Sequence, residues 1–468
     1  MIILNELINY NNKNKYVIIK KLLVFFISII ICIKSNYIPY SLELNNNYLK
    51  IQLDLNLTFN SKINNKINIA IYYNSIKNGG IERLIALLLD YIGRIKIFNT
   101  FLITKTQKEQ NEYPISFNTK RIILNNKISN DLIRILKREK IDILIYNFYD
   151  DLEMKTINHL KETKIIYYNH SCFLFWIYSG LYNFFSTIYN LYRQSKYVIS
   201  LVPFENDYLF KKWGINSILM YNFITYEYNS IIPSDLSSKT ILMIGRGNDR
   251  MKRFELGVES MKKIITEIPD SKMKIISDIN NIDNLLQMVN FLNLNNYIEF
   301  IGFTSIPEIY FNNASLHIFP SISESFGLVL SETKIFGIPS ILVGLDYVSI
   351  AKGGTVIIYD DNSQTIANEA IKILKDKQYR KKLGKEARKS MKKFKNELLL
   401  KKWIKLILSV YNGNKYYLNL REKDQKIPEN ESNKFLKKQV ELLKMRIPNF
   451  KNITIENIEN FTFMKNLG

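Results

Sequence analysis

The chain has 468 residues, with 65 Lys+Arg against 43 Asp+Glu and a formal net charge of +22. Hydrophobic residues make up 47% and charged residues 23%, a globular composition that excludes a mainly disordered chain and a disulfide-stapled miniprotein. Only one segment is apolar enough to approach a bilayer, which argues against a multi-span transporter. Asn, Ile, Lys and Tyr are over-used, so part of the basic excess reflects composition bias. The two cysteines, Cys32 and Cys172, form no disulfide framework and favour a reducing compartment. With three histidines (His159, His170, His317) and no Cys-x-x-Cys or His-x-x-x-His pair, no structural zinc site is expected.

In chain order, Leu22–Ile33 reads LLVFFISIIICI, an uncharged apolar run preceded by Lys20 and Lys21. Residues 1–35 are therefore expected to be a signal anchor or signal peptide, giving a single-pass, membrane-associated protein of the endoplasmic reticulum or Golgi. The flanking lysines place the body in the lumen by the positive-inside rule. The lack of disulfides, and a glycosylation sequon at Asn169-His170-Ser171 inside the expected cleft, favour the cytosolic side. Residues 36–65 are Asn-rich and aperiodic and read as a linker.

From residue 66 the pattern changes. Ile67–Tyr73, Ile141–Asn147, Lys164–Asn169 and Tyr197–Val202 are short buried-strand patterns, and a helical pattern runs from Ile81 to Arg94. A Pro/Ser/Asp cluster at Ile231–Lys239 breaks the alternation, which restarts with strands at 240–245, 272–277, 297–302, 315–320 and 340–344. Helices are predicted at Phe254–Glu267 and Phe326–Phe336. Strands alternating with helices imply parallel sheets covered on both faces. The expected fold class is α/β, with Rossmann-like domains at 66–232 and 238–410 facing a cleft and a charged appendage at 411–468.

Between Tyr379 and Leu406 stand twelve basic residues against Glu386 and Glu397. The stretch reads as helical, with Gly384 weakening its start. It lacks the base-stacking aromatic pattern of single-strand binders, so no nucleic-acid partner is expected and a membrane-facing or solvated helix is preferred.

The chemistry concentrates in Pro320-Ser-Ile-Ser-Glu324-Ser-Phe-Gly-Leu-Val-Leu-Ser-Glu332, followed by Gly337-Ile-Pro339. A strand ends at Pro320 and a helix is predicted to begin near Phe326, with Ser323 or Ser325 placed to cap it. The amides of Phe326, Gly327 and Leu328 would then face an anionic or hydroxyl ligand. Glu324 and Glu332 would address the two ends of one extended ligand, since carboxylates accept hydrogen bonds from sugar hydroxyls. Gly79-Gly80 is either a strand-to-helix turn needing positive φ or a place where the missing Cβ admits a ligand. Arg246 and Lys252 are either a solvated loop or a pair of cations for a diphosphate.

The Glu324-Ser-Phe-Gly-Leu-Val-Leu-Ser-Glu332 segment with Gly337-Ile-Pro339 resembles the signature of the family-4 (group 1) retaining glycosyltransferases, which share the GT-B architecture. Gly79-Gly80-Ile-Glu-Arg, Asn169-His170-Ser171, Gly245-Arg246 through Lys252-Arg253, and Tyr297–Gly302 follow in that family's order. Thr333, where the family usually has Ala, and Lys334-Ile335 depart from it.

The resemblance implies transfer of a sugar, hexosyl and by analogy mannosyl, from a nucleoside-diphosphate sugar to a hydroxyl of a glycan or lipid-linked acceptor. Anomeric configuration would be retained, with no metal and no cofactor. It implies catalytic roles for Glu324, Arg246, Lys252 and His170, and substrate binding by Gly79, Gly80, Phe326, Gly327, Leu328 and Glu332. A non-catalytic nucleotide-sugar-binding protein, or a basic membrane-associated protein on the same fold, is the alternative.

Overall fold

The computed structural model describes residues 66–447, apart from 78, 109–111, 125–128, 180–183, 248, 279–281, 305 and 414–428, together with 451 and 454. The apolar run at 22–33 and the whole predicted linker at 36–65 lie outside the described residues. Among the described residues no helix is long and apolar enough to cross a membrane.

The first lobe runs β1 (Ile67–Tyr73), α1 (Gly80–Gly93), β2 (Phe98–Thr104), β3 (Lys120–Ile123), α2 (Ser129–Arg138), β4 (Ile143–Tyr146) and α3 (Asp151–Ile157). It continues with β5 (Lys164–Tyr168), α4 (Phe173–Tyr178), α5 (Phe184–Gln194), β6 (Tyr197–Ser200), α6 (Pro203–Trp213) and β7 (Ser217–Leu219). The seven strands are parallel in the order β3-β2-β1-β4-β5-β6-β7. Ile67, Ile69, Ala70, Ile71 and Tyr72 of β1 are all buried, because helices cover both faces of the sheet. That is why β1 reads as an apolar run and not as an alternation.

Met220 to Lys239 carries no regular structure and leads into the second lobe. This lobe holds β8 (Thr240–Ile244), α7 (Phe254–Glu267), β9 (Lys272–Ile276), α8 (Asp283–Phe291), β10 (Ile298–Ile301) and α9 (Glu308–Phe311). Then come β11 (Leu316–Phe319), α10 (Leu328–Ile335), β12 (Ser340–Val343), β13 (Thr355–Ile358) and α11 (Ser363–Lys375). Its six strands are parallel in the order β10-β9-β8-β11-β12-β13. In both sheets the order reverses beside the first strand of the lobe, at β1/β4 and β8/β11, and such switch points open crevices at the carboxyl ends of strands.

The basic stretch is α12 (Lys377–Ser390), a short 3-10 turn, and α13 (Asn396–Asn412). Most of its apolar residues face inward: Leu383, Met391, Phe394 and Trp403 are buried while Leu398 is exposed, and Trp403 packs edge-on against Tyr168 of the first lobe. Two of its arginines are structural. Arg380 donates to the carbonyls of Leu236, Ile373 and Leu374, and Arg388 to those of Ile335, Tyr228 and Ile231. The expected membrane-facing apolar side is thus the core-facing side. Gly384 sits inside α12 because a Cβ there would lie 2.4 Å from the Gly337 carbonyl oxygen at the end of α10.

Helix α13, counted by sequence with the second domain, returns to pack on α1 and β4 of the first lobe. Buried Asn396 bonds both the N–H and the carbonyl of Ile224 and also reaches Tyr91. The predicted appendage contains α14 (Glu429–Arg446), whose Leu436, Val440, Leu442 and Leu443 are buried. Gln439 of this helix accepts from Tyr178 in the first lobe and donates to Gly344 O in the second.

Candidate functional site

The sequence-nominated residues follow the carboxyl ends of strands: three of these strands border a switch point, β5 is the next strand beyond β4, and Leu328 and Glu332 lie on the helix after the β11 loop. β1 leads to Gly79-Gly80, β5 to Asn169-His170, β8 to Arg246 and Lys252, and β11 to Glu324 and then Glu332.

The Glu324 end is assembled within the second lobe. Ile322 N donates to Met251 O, and Arg253 Nε donates to Pro320 O at 2.8 Å, which draws the two loops side by side. Arg253 adopts φ +49° and is buried, and that turn directs Lys252 to Glu324: Nζ and Oε1 are 2.5 Å apart, with both side chains mostly shielded. Asp361 pairs with both Arg253 and Arg446, and Arg446 of α14 donates to it twice at 2.9 Å. A three-charge cluster, which sequence reading missed, therefore supports the Lys252 loop from behind.

Arg246 differs from its expected partner Lys252. Its side chain is exposed and donates to Asp249 at 2.8 Å, while Asp249 also accepts from Met251 N. Arg246 nonetheless faces the first lobe closely enough to pull down the Glu82 carboxyl, which burial pushes up.

The predicted helix start shifts by two residues. Gly327, at φ +80°, is the cap, and α10 begins at Leu328 with no side-chain cap. Ser323 and Ser325 are used elsewhere: Ser325 Oγ accepts from Cys172 N in the first lobe at 2.8 Å, and Ser323 Oγ lies 3.5 Å from Cys172 Sγ. These contacts seat the Glu324 loop on the end of the Asn169-His170-Ser171 motif. The Phe326 ring is buried against Phe394 and Tyr221, so it packs the core and leaves only its backbone to meet a ligand.

Gly79 has φ −143°, so the turn does not require a positive dihedral there. The space beside it is filled by the chain itself, since a Cβ would stand 1.8 Å from Glu82 Oε2. A Cβ at Gly80 would meet Leu328 of the second lobe at 3.5 Å, so the two lobes touch at this point.

His170 is buried, and its tautomer follows from its neighbour. Asn147 Nδ2 donates to the carbonyls of Tyr72 and Ile145, which turns Asn147 Oδ1 toward His170 Nε2 at 2.9 Å. Because Oδ1 only accepts, Nε2 carries the proton. Nδ1 is then a bare acceptor, buried and without a partner among the described residues. Burial lowers the imidazole to about 3, so the ring is neutral at ordinary pH. The sequon residue Asn169 is also buried: its amide donates to Tyr192 and its oxygen accepts from Tyr149 and Ser171 N, so the folded chain does not present it for glycosylation.

Glu332, at the other end of the signature, is nearly fully buried and is gripped from outside its own lobe. Arg83 Nη1 of α1 lies 3.0 Å from Oε1, and Thr225 Oγ1 of the interlobe connection donates to the same oxygen at 2.6 Å. Arg83 was quoted within a motif but not nominated, and Thr225 carried no sequence signal. The two departures from the family pattern have local uses. Buried Thr333 bonds His317 Nδ1 at 3.1 Å, and buried Lys334 donates to Ile350 O and Lys352 O, with burial lowering its amine to about 7.

Residues 227–390 match the family described as Glycosyl transferases group 1. Over 171 residues the chain is 29% identical to the N-acetyl-alpha-D-glucosaminyl L-malate synthase of Bacillus anthracis, a match covering 36% of this chain and 44% of that protein. The chain thus spans less than half the length of the curated relatives it matches. Among solved structures it resembles sucrose-phosphate synthase from Thermosynechococcus elongatus, with TM-score 0.65 and 16% identity over 75% of this chain and 100% of that one. It also resembles HepE of Anabaena, solved with UDP and glucose, with TM-score 0.58 and 15% identity over 73% and 99% of the two chains. The two lobes have the GT-B fold, and residues 227–390, which carry both glutamates and both cations, are the part of the chain that matches the group 1 glycosyl transferases.

Proposed function

We propose that the chain is a retaining glycosyltransferase that moves a hexosyl group from a nucleoside-diphosphate sugar to an acceptor hydroxyl, without a metal ion. The observation that carries this reading is the Lys252–Glu324 pair at 2.5 Å, set on a loop that also touches the His170 segment of the facing lobe. The HepE structure with UDP and glucose and the sugar-transferring relative from Bacillus anthracis support it.

In this reading positive charge develops at the anomeric carbon and negative charge on the departing diphosphate. Lys252, Arg246 and the amides at the start of α10 stabilise the diphosphate, which is the larger electrostatic demand. Glu324 accepts from donor sugar hydroxyls and keeps Lys252 oriented. Glu332 accepts from the ribose. The bare Nδ1 of His170 accepts a hydrogen bond from a hydroxyl of the donor sugar without taking its proton, as a neutral ring with so low a pKa would do. No side chain is assigned as nucleophile, since the acceptor attacks on the face the leaving group vacates and the departing phosphate takes its proton.

The apolar run at 22–33 supports a glycan or lipid-linked acceptor at an endoplasmic reticulum or Golgi membrane. Carbonate-resistant sedimentation of the full chain with those membranes tests that placement, and recovery in the soluble fraction contradicts it. For the reaction, purified protein is incubated with a panel of UDP- and GDP-hexoses, mannose and N-acetylglucosamine donors included, and a hydroxyl acceptor. Acceptor-dependent release of UDP or GDP that persists in EDTA is expected. Nucleotide binding without turnover would instead indicate a non-catalytic binding protein.

A further inference from the structure

The two hydrogen bonds on Glu332 are unevenly placed. Arg83 and Thr225 both donate to Oε1, and Oε2 makes no hydrogen bond with the described residues. Arg83 stands in the first turn of α1, Thr225 in the connection between the lobes, and Glu332 on α10 of the second lobe. Two separate parts of the chain therefore converge on one carboxylate oxygen of a third. Two donors on the same oxygen fix the plane of the carboxylate, and the arginine supplies a countercharge to a nearly buried anion. The second oxygen then has a fixed direction and both lone pairs available.

We propose that Arg83 and Thr225 are positioning residues for the donor nucleotide: they pin Oε1 of Glu332 so that Oε2 is presented to the ribose hydroxyls of a nucleoside diphosphate. The proposal rests on the reading of Glu332 as the ribose-binding acid. Because the pin runs from the first lobe to the second, it exists only while the lobes are together. Ribose recognition and lobe closure are thereby coupled, and a nucleotide that uses Oε2 favours the closed arrangement. The alternative, in which Arg83 merely occupies the ribose site and must be displaced, predicts the opposite effect of its removal.

Calorimetric titration of the full chain with UDP, GDP and ADP, each beside its 2′-deoxy form, tests the proposal. The wild type is expected to bind at least one ribonucleotide and to bind its deoxy form about tenfold or more weakly, the loss of a hydrogen bond to a charged group. Arg83→Met and Thr225→Val should weaken the ribonucleotide about tenfold and shrink the ribo/deoxy ratio toward one, while Arg83→Lys keeps part of it. Circular dichroism and melting of each variant identify any loss due to unfolding, and the three variants do not share one folding risk. Unchanged affinity and ratio in folded Arg83→Met and Thr225→Val overturn the pin alone, and tighter binding by Arg83→Met shows Arg83 to be a competitor. A wild type that binds none of the six nucleotides overturns the donor-site reading itself, and the pin with it.

Discussion

Glu324 and Glu332 lie eight residues apart in one signature, yet they are held in different ways. Glu324 is paired by Lys252 from its own lobe, on a loop supported by Arg253, Asp361 and Arg446. Glu332 is held across the cleft by Arg83 and by Thr225 of the connection. The Lys252–Glu324 pair is therefore made within one lobe, although its loop also meets the first lobe at Cys172, whereas both partners of Glu332 come from outside its lobe. Electrostatic groups that act on a departing charge gain most from being preorganised, and groups that recognise the ligand can take part in closure.

Removing the preorganised cation should have the largest effect. Lys252→Met is expected to lower kcat/KM for sugar transfer by about 10²-fold or more, with most of the loss in kcat. Steady-state kinetics measure this, and a loss confined to KM would erase the distinction between the two ends. Glu332→Gln should cost about tenfold, chiefly in donor KM, because it weakens recognition and leaves the diphosphate cations in place. A double-mutant cycle sharpens the contrast: Lys252 and Glu324 should couple by about 2 kcal/mol, and Lys252 with Arg83 by less than about 0.5 kcal/mol.

Asp361→Asn tests the support behind the first end. It leaves Arg253 and Arg446 without their carboxylate and should destabilise the fold by about 2 kcal/mol, less than a fully buried pair because Asp361 is partly exposed. Urea unfolding measures it, and an unchanged midpoint would show that the cluster does not hold the loop.

A pH-dependent effect concerns Glu205, which accepts from Phe173 N at the start of α4 and from Ser200 and Tyr192. Burial pushes its carboxyl from 4.5 up to about 7. The folded chain therefore holds a proton through that window that the unfolded chain has released. Stability accordingly falls as pH rises from about 4.5 to about 7 and is level above it, by on the order of 3 kcal/mol before other groups are counted. Glu205→Gln should remove this slope in urea midpoints taken at pH 5 and pH 8, and an unchanged slope would contradict it.

The strands that enclose the switch points were legible because burial on both faces makes them apolar and β-branched, as in Ile67–Tyr73 and Thr240–Ile244. β2 was not singled out, since Asn99, Thr100 and Thr104 interrupt its apolar run, and β7, at Ser217–Leu219, is too short to stand out. The second-lobe residues of the site were legible because they occupy one loop and the helix that follows. Arg83 and Thr225 were not nominated because their meaning lies in a contact with Glu332 across 249 and 107 residues of chain. The α12 arginines were misread as surface charge because a long side chain capping carbonyls carries the same letter as a solvated one. Phe326 was nominated for its amide at the predicted helix start, and only packing against Phe394 shows that its ring turns into the core.

The most direct measurement is product analysis by proton NMR after incubation of the chain with an α-linked nucleoside-diphosphate hexose and a hydroxyl acceptor in EDTA. The account predicts an α-glycoside formed in step with nucleoside diphosphate, lost in Lys252→Met and reduced in Arg83→Met. A β-glycoside would contradict retention, and a full-rate product from Lys252→Met would contradict the site.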